Sequence, residues 1–128
     1  MSERPFQEKL AMQYLLLIYG AEKAWSDLSE TERNKLFGDY MTFTNDIKAS
    51  GHYVGGNPLQ PVHTATTVRV RDGKTSITDG PFAETREQLG GYYLVEAKDL
   101  DEATRIAARI PGARLGSIEV RPVMPIGG

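Results

Sequence analysis

The segment "YLLLIYG", residues 14–20, contains the longest apolar run of the chain and ends at a glycine, as a buried strand does. A second segment, "GGYYLVEA" at residues 90–97, is also apolar at consecutive positions instead of alternating apolar with polar side chains. A strand with this pattern needs cover on both faces of its sheet. Both segments therefore predict strands of a sheet whose two faces are buried.

Two helices are predicted from capping signals and apolar spacing. The first begins at Ser29, which forms a capping-box pattern with Glu32. Its apolar residues recur at helical spacing: Leu36, Tyr40, Phe43 and Ile47. The second begins at Asp99, which stands in the same relation to Glu102, and it ends before Pro111. Its apolar residues share one face: Ala103, Ile106, Ala107 and Ile110. Each helix thus has an apolar face to pack on a sheet.

Further strands are predicted at "HYVGGNPL" (residues 52–59) and "GSIEVRPVM" (residues 116–124). Between them, "TTVRVRDGKTSIT" (residues 66–78) predicts a hairpin, because Asp72-Gly73 suits the left-handed backbone of a tight turn. The order of elements indicates an α+β fold of split β-α-β type, in which both helices pack on one face of an antiparallel sheet. We expect a single domain over residues 13–128, after an N-terminal extension at residues 1–12.

The second face of this sheet needs another cover, because two helices on one side shield one face only. The same sheet from a second subunit is the most economical cover, and twofold symmetry is the usual arrangement. The sequence therefore predicts a homodimer whose sheets face each other.

Composition excludes several classes of partner and chemistry. With 15 basic and 17 acidic side chains, the net charge of −2 gives no electrostatic attraction for nucleic acid or an anionic membrane. The absence of cysteine removes disulfides, thiolate catalysis and zinc sites of the thiolate type. No apolar run approaches the roughly 18 residues that span a bilayer. We expect a cytoplasmic protein without nucleic-acid or membrane partners.

Three segments carry a resemblance to a known family: "YLLLIYG", the long stretch "TATTVRVRDGKTSITDGPFAETREQLGGYYLVEAKDLDEA" and the terminal "EVRPVMP". Together they resemble the DGPF-domain branch of the YCII-related family, in order, over residues 14–125. The resemblance implies a ferredoxin-like subunit and a dimeric α-β barrel. It also implies a largely uncharacterised family, in which a few relatives act on small organic molecules as lyases or dehalogenating enzymes. Many DGPF-type members are associated with sigma factors, which implies a sigma-factor-related regulatory partner.

One position departs from the pattern of the broader family. Better understood relatives pair a histidine on the first helix with an acidic residue, but residues 30–50 contain no histidine here. Judged by its distance from the glycine that follows the helix, Tyr40 takes that place. The resemblance therefore does not carry histidine-dependent chemistry to this chain.

The motif Asp79-Gly80-Pro81-Phe82 has two interpretations. Gly80 and Pro81 redirect the chain after a strand, because glycine accepts positive φ and proline restricts the residue before it. Asp79 then either caps the turn by accepting backbone hydrogen bonds or acts as a general base or acid beside the apolar Phe82. Glu84 is close enough in sequence to share a proton with it.

Other candidate residues have structural alternatives. Aromatic side chains suit a ligand pocket or, alternatively, core and dimer packing: Tyr14, Tyr19, Trp25, Tyr40, Tyr92 and Tyr93. Three arginines suit an anionic substrate: Arg69, Arg71 and Arg121. Alternation, however, places Arg69 and Arg71 on the side of the hairpin opposite its valines, towards solvent. His52 and His63 lack the spacing of a metal site, so we expect neither metal nor cofactor.

Two functions of different classes remain open. The first is a cofactor-independent lyase or isomerase, with Asp79 as base or acid, Glu84 as its partner, Tyr40 as a hydrogen-bonding group, and Pro81, Phe82, Tyr14 and Trp25 around the ligand. The second is a non-catalytic dimeric module that binds a small-molecule ligand or a protein partner.

Overall fold

The computed structural model describes residues 12–126, which form six strands and three α-helices. In chain order these are β1 (Met12–Gly20), α1 (Glu22–Ser26), α2 (Glu30–Ala49), β2 (Tyr53–Pro58), β3 (Thr66–Arg71), β4 (Lys74–Asp79), β5 (Gln88–Ala97), α3 (Leu100–Ala108) and β6 (Ser117–Pro122). Short 3-10 turns occur at Val62–Thr64 and Pro111–Arg114. The predicted extension lies outside the described residues except for Met12, which begins β1.

Four strands form an antiparallel sheet in the order β2-β5-β1-β6, with the two predicted apolar strands at its centre. Leu16 of β1 pairs with Tyr93 of β5 on one side and with Val120 of β6 on the other. This confirms the predicted ferredoxin-like α+β fold with an antiparallel sheet. Strands β3 and β4 pair only with each other, in a separate two-stranded sheet. In the chain they lie between β2 and β5, which are neighbours in the four-stranded sheet.

Local signals fix both long helices as predicted. The Ser29 hydroxyl accepts the N–H of Glu32 at 3.1 Å, and the Glu32 carboxylate accepts the N–H of Ser29 at 2.8 Å. Asp99 caps α3 by accepting the N–H of Glu102 at 2.9 Å. The short α1 was not predicted, since it has five residues and buries none of them. No described helix is long and apolar enough to cross a membrane.

The hydrophobic core lies between one face of the four-stranded sheet and the two long helices. Alternate residues of β1 and β5 point into it, while their neighbours point the other way. Its largest fully buried side chains are Leu16, Ile47, Val95 and Ile110. Phe43 of α2 meets Tyr93 of β5 edge to face, with ring centroids 5.1 Å apart. Both long helices therefore pack on the same face, as the pattern predicted.

The other face of the sheet carries apolar side chains that neither long helix covers. Leu15 pairs with Leu94, and Leu17 pairs with Tyr92, across the two central strands. All four side chains are only partly buried. We call these four residues the open face.

Candidate functional site

The turn at residues 79–82 leaves strand β4 through a left-handed glycine. Gly80 has φ of +100°, a conformation that side chains other than glycine rarely adopt. Its N–H donates to the Ala65 carbonyl at 2.7 Å, and its carbonyl accepts the Thr67 hydroxyl at 2.8 Å. The turn is thus tied to the start of the hairpin, and the predicted redirection at Gly80 is found.

Asp79 is exposed at the end of β4, where it pairs with Thr66. Within residues 12–126 its carboxylate makes no hydrogen bond, either to the backbone amides that a turn cap would use or to another side chain. Residues that face each other across a ladder share one side of it, so Asp79 lies on the same side of the hairpin as Val68 and Ile77. The carboxylate is therefore accessible to solvent beside apolar side chains.

The remaining predicted residues of this segment are spread over its surface. Phe82 is 80% exposed, Glu84 is exposed and Pro81 is partly buried. No hydrogen bond joins Glu84 to Asp79 in the described chain. The four residues are close in sequence, the structure shows no shared site among them, and their catalytic and ligand-binding roles stay predictions.

A hydrogen-bond network that the sequence did not reveal joins the start of β5 to α1, to the loop after β2 and to the start of β6. The Gln88 side chain accepts the N–H of Glu22 at 2.9 Å, and the Glu22 carboxylate accepts the N–H of Val62 at 2.9 Å. The carboxylate of Glu87 accepts the hydroxyl of Ser117 at 2.9 Å. These partners lie 30 to 66 residues apart in sequence, so no local pattern indicates them.

Tyr40 is partly buried against the core on α2, and its hydroxyl accepts the N–H of Gly112 at 3.1 Å. Burial raises the pKa of this hydroxyl above its usual value, and the Gly112 N–H opposes that shift. A Cβ at position 112 would stand 2.5 Å from the tyrosine oxygen. Tyr40 therefore joins α2 to the turn after α3, and the structure shows no contact between it and Asp79.

Tyr14 and Trp25, predicted around a ligand, lie in different environments. Tyr14 is 2% exposed in the core, and its hydroxyl donates to the Met12 sulfur at 3.6 Å. Trp25 is 47% exposed on α1. Of these two aromatic residues, only Trp25 offers its ring to a molecule in solution.

A second group of polar side chains joins the end of α2 to the start of α3. The Ser50 hydroxyl lies 2.7 Å from Nδ1 of His52, and Nε2 of His52 lies 3.3 Å from the Glu102 carboxylate. The Lys98 N–H, which donates to Glu102 at 2.9 Å, and then His52 lower the pKa of that carboxyl.

The order Ser50, His52, Glu102 is that of a nucleophile, a base and an orienting acid, but the backbone N–H groups beside the hydroxyl are already engaged. The N–H groups of residues 50, 51 and 52 donate to carbonyls of α2. An acyl-transfer site needs such groups to stabilise an oxyanion. This trio therefore acts as a clamp between the two helices.

A shallow groove between α2 and the turn after α3 contains charges that pair with one another. Arg114 lies 3.1 Å from Asp39, and Arg109 lies 3.7 Å from Asp46. Among residues 12–126, no three His, Asp or Glu side chains are grouped to hold a metal ion. The groove thus offers no unpaired charge to a ligand.

Comparison with known proteins places this fold in a family. The model of the YCII-related domain matches residues 12–127. The chain is also similar to the uncharacterized protein R00369 of Rhizobium meliloti (strain 1021), with 37% identity over 114 residues, which cover 88% of this chain and 92% of that protein. A match over almost the whole chain, together with the sheet order found here, supports one conclusion. The protein belongs to the YCII-related family.

Proposed function

We propose that the protein is a homodimeric module that binds a small organic molecule between its facing sheets. The observation that carries this proposal is the open face. Leu15, Leu17, Tyr92 and Leu94 form a continuous apolar surface on the two central strands, opposite the helices. Contiguous exposed apolar surface on a folded domain is typical of a binding interface.

Polar groups surround the open face in the pattern of a ligand site. The Tyr92 hydroxyl accepts a hydrogen bond from the side chain of Asn57, its partner on β2, at 3.0 Å. On the other side, Glu119 and Arg121 of β6 pair with Leu17 and Leu15, and they form an ion pair with each other. An apolar floor with a few polar groups is the usual composition of a small-molecule pocket.

Leucine methyl resonances test this proposal, because neighbouring leucines of β1 point to opposite faces. The probe is a library of small organic acids and amides, added to protein that carries labelled leucine methyl groups. We expect binding compounds to shift the signals of Leu15, Leu17 and Leu94 and to leave Leu16, which is fully buried, unchanged. Shifts confined to Leu36 or Leu16, or no binding by any compound, would refute the proposal.

An aspartate substitution at the open face provides a matched comparison. Leu17→Asp places a charge on the open face and should abolish the binding. Phe37→Asp alters an apolar side chain on α2 that is 63% exposed, and it should leave the binding intact. Equal effects of both substitutions would mean that the open face has no special role.

A second candidate function is a lyase or isomerase that uses Asp79, and the position of its carboxylate favours it. The side chain is exposed on the apolar side of the hairpin, and the adjacent backbone is fixed by the hydrogen bonds of Gly80. A bound compound that changes chemically during the experiment would support this activity. Asp79→Asn should then stop turnover and preserve binding, whereas a pure binding module gives no turnover in either protein. A sigma-factor-related partner stays a prediction from the family resemblance.

A further inference from the structure

The β3–β4 hairpin is amphipathic, and its apolar side is uncovered. Ladder pairing places Val68 opposite Ile77 and Val70 opposite Thr75 on one side. Val68, Val70 and Ile77 are 59%, 58% and 70% exposed. The other side carries Arg69 and, at the tip, the pair Arg71 and Lys74. We call Val68, Val70 and Ile77 the hairpin apolar side.

The apolar side of the hairpin is no better covered than the arginine side. Arg69 is partly buried, while the valines on either side of it are exposed. A two-stranded hairpin is at best marginally stable in water unless one side packs on something else. No described ladder joins this hairpin to the four-stranded sheet, and every residue of β4 is exposed. The hairpin is therefore held at its base and lacks a partner along its length within residues 12–126.

The area that a stable dimer needs indicates which partner covers the hairpin. Four strands about 4.8 Å apart, paired over six residues that rise about 3.3 Å each, offer an open sheet face of about 400 Å². A standard interface buries about 800 Å² on each partner. One side of the hairpin adds about 200 Å² by the same geometry. The hairpin thus enlarges the flat apolar area that a second copy can cover by about half.

Resting on the homodimer proposed above, we infer that the hairpin apolar side of each protomer packs on its partner. A second copy offers what the hairpin lacks, since it carries its own uncovered apolar surface. Twofold symmetry makes the exchange reciprocal, so that both hairpins are covered at once. Arg71 and Lys74, which are exposed on the opposite side of the hairpin, then remain in contact with water.

Photo-crosslinking tests this contact directly, because the chain has no cysteine of its own. Val70→Cys and, as the matched control on the opposite side, Ser76→Cys each receive a benzophenone maleimide. After illumination, Val70→Cys should give a covalent product of twice the chain mass of 14.2 kDa, and Ser76→Cys should give mostly single chains. Capture of the label within its own chain at Val70→Cys would overturn the inference.

A second measurement separates failure of this inference from failure of the dimer itself. Val68→Thr, Val70→Thr and Ile77→Thr together keep strand-forming residues and remove apolar contact, so the hairpin still forms. Sedimentation should show that the dimer of this triple variant dissociates at a concentration at least about tenfold higher than the wild-type dimer does. Arg69→Thr with Arg71→Thr should leave dissociation unchanged. A wild-type dimer that is insensitive to the triple substitution would refute the hairpin contact alone, and a monomeric wild type would refute both proposals.

Discussion

The two faces of the four-stranded sheet are built from adjacent residues and meet different surroundings. Leu16 is fully buried against the helices, whereas its neighbours Leu15 and Leu17 are only partly buried on the open face. The three leucines are chemically identical, so the difference arises from what the fold places over each face. One face is completed within the chain. The other carries similar side chains, and neither long helix covers it.

Hydrogen bonds on the helix side are partly buried, whereas the bond between Asn57 and Tyr92 at the open face is exposed. On the helix side, the Tyr93 hydroxyl lies 2.6 Å from the Thr44 hydroxyl, and Tyr40 accepts from Gly112. No buried side-chain nitrogen or oxygen in the described chain lacks a partner. Beyond the open face, Asp79 and Phe82 are exposed. The helix side thus has the properties of a hydrophobic core, and the exposed groups have those of a protein surface.

The largest effect is expected at the centre of the helix-covered face. Ile47 is 0% exposed, so Ile47→Ala should leave a cavity and lower the free energy of unfolding by about 2–5 kcal/mol. Leu17→Ala, measured by chemical denaturation at a concentration where the protein is monomeric, should cost about 1 kcal/mol, because the side chain is only partly buried. Equal costs would break the distinction between the faces.

A smaller effect is expected from tyrosine hydroxyls on the two faces. Tyr40→Phe leaves the Gly112 N–H without its acceptor in a partly buried position and should cost about 1–2 kcal/mol. Tyr92→Phe removes a bond to the exposed Asn57 amide, which water can replace, and should cost less than about 0.5 kcal/mol. Thermal unfolding of both variants at one pH, at a concentration where the protein is monomeric, makes the comparison. A larger loss of stability for Tyr92→Phe than for Tyr40→Phe would show that the open-face hydroxyl stabilises the fold more than the Tyr40 hydroxyl does.

Another small effect concerns the clamp at Glu102, whose folded pKa is lowered. A lowered folded pKa means that the unfolded chain binds the proton more tightly. The charged carboxylate therefore stabilises the fold above its unfolded pKa, and this contribution is lost as pH falls through the lowered value. At neutral pH, the free energy of unfolding of the wild type should exceed that of Glu102→Gln by less than about 1 kcal/mol, as expected of a surface ion pair. Unfolding curves recorded from pH 2 to pH 7 should converge at the acid end, and curves that stay parallel would contradict the role of the charge.

The elements predicted correctly are those with a local cause. Consecutive apolar residues marked the two central strands, and Ser29 and Asp99 marked the helix starts through hydrogen bonds to residues three positions away. The hairpin turn followed from Asp72 and Gly73, which both adopt positive φ. These features depend on neighbours in sequence, so the sequence contains the information to predict them.

What escaped prediction depends on contacts between distant residues. The bonds of Gln88 to Glu22 and of His52 to Glu102 join segments whose proximity arises only from the fold. The same holds for the candidate site. The position of Asp79 at a strand end was predicted, but the structure engages Tyr40 with the turn after α3 instead of with Asp79. Alternation gave the two sides of the hairpin correctly, yet it contained no information about which side is covered.

The molecular mass in solution tests the central claim most directly, which is that the open face is an interface between two copies of the chain. Light scattering coupled to size exclusion at micromolar concentration should give twice 14.2 kDa for the wild type and for Phe37→Asp. For Leu17→Asp it should give the mass of a single chain, and the circular dichroism spectrum of this variant should match that of the wild type. A wild type that elutes as a folded monomer, or a Leu17→Asp protein that stays dimeric, would contradict the account.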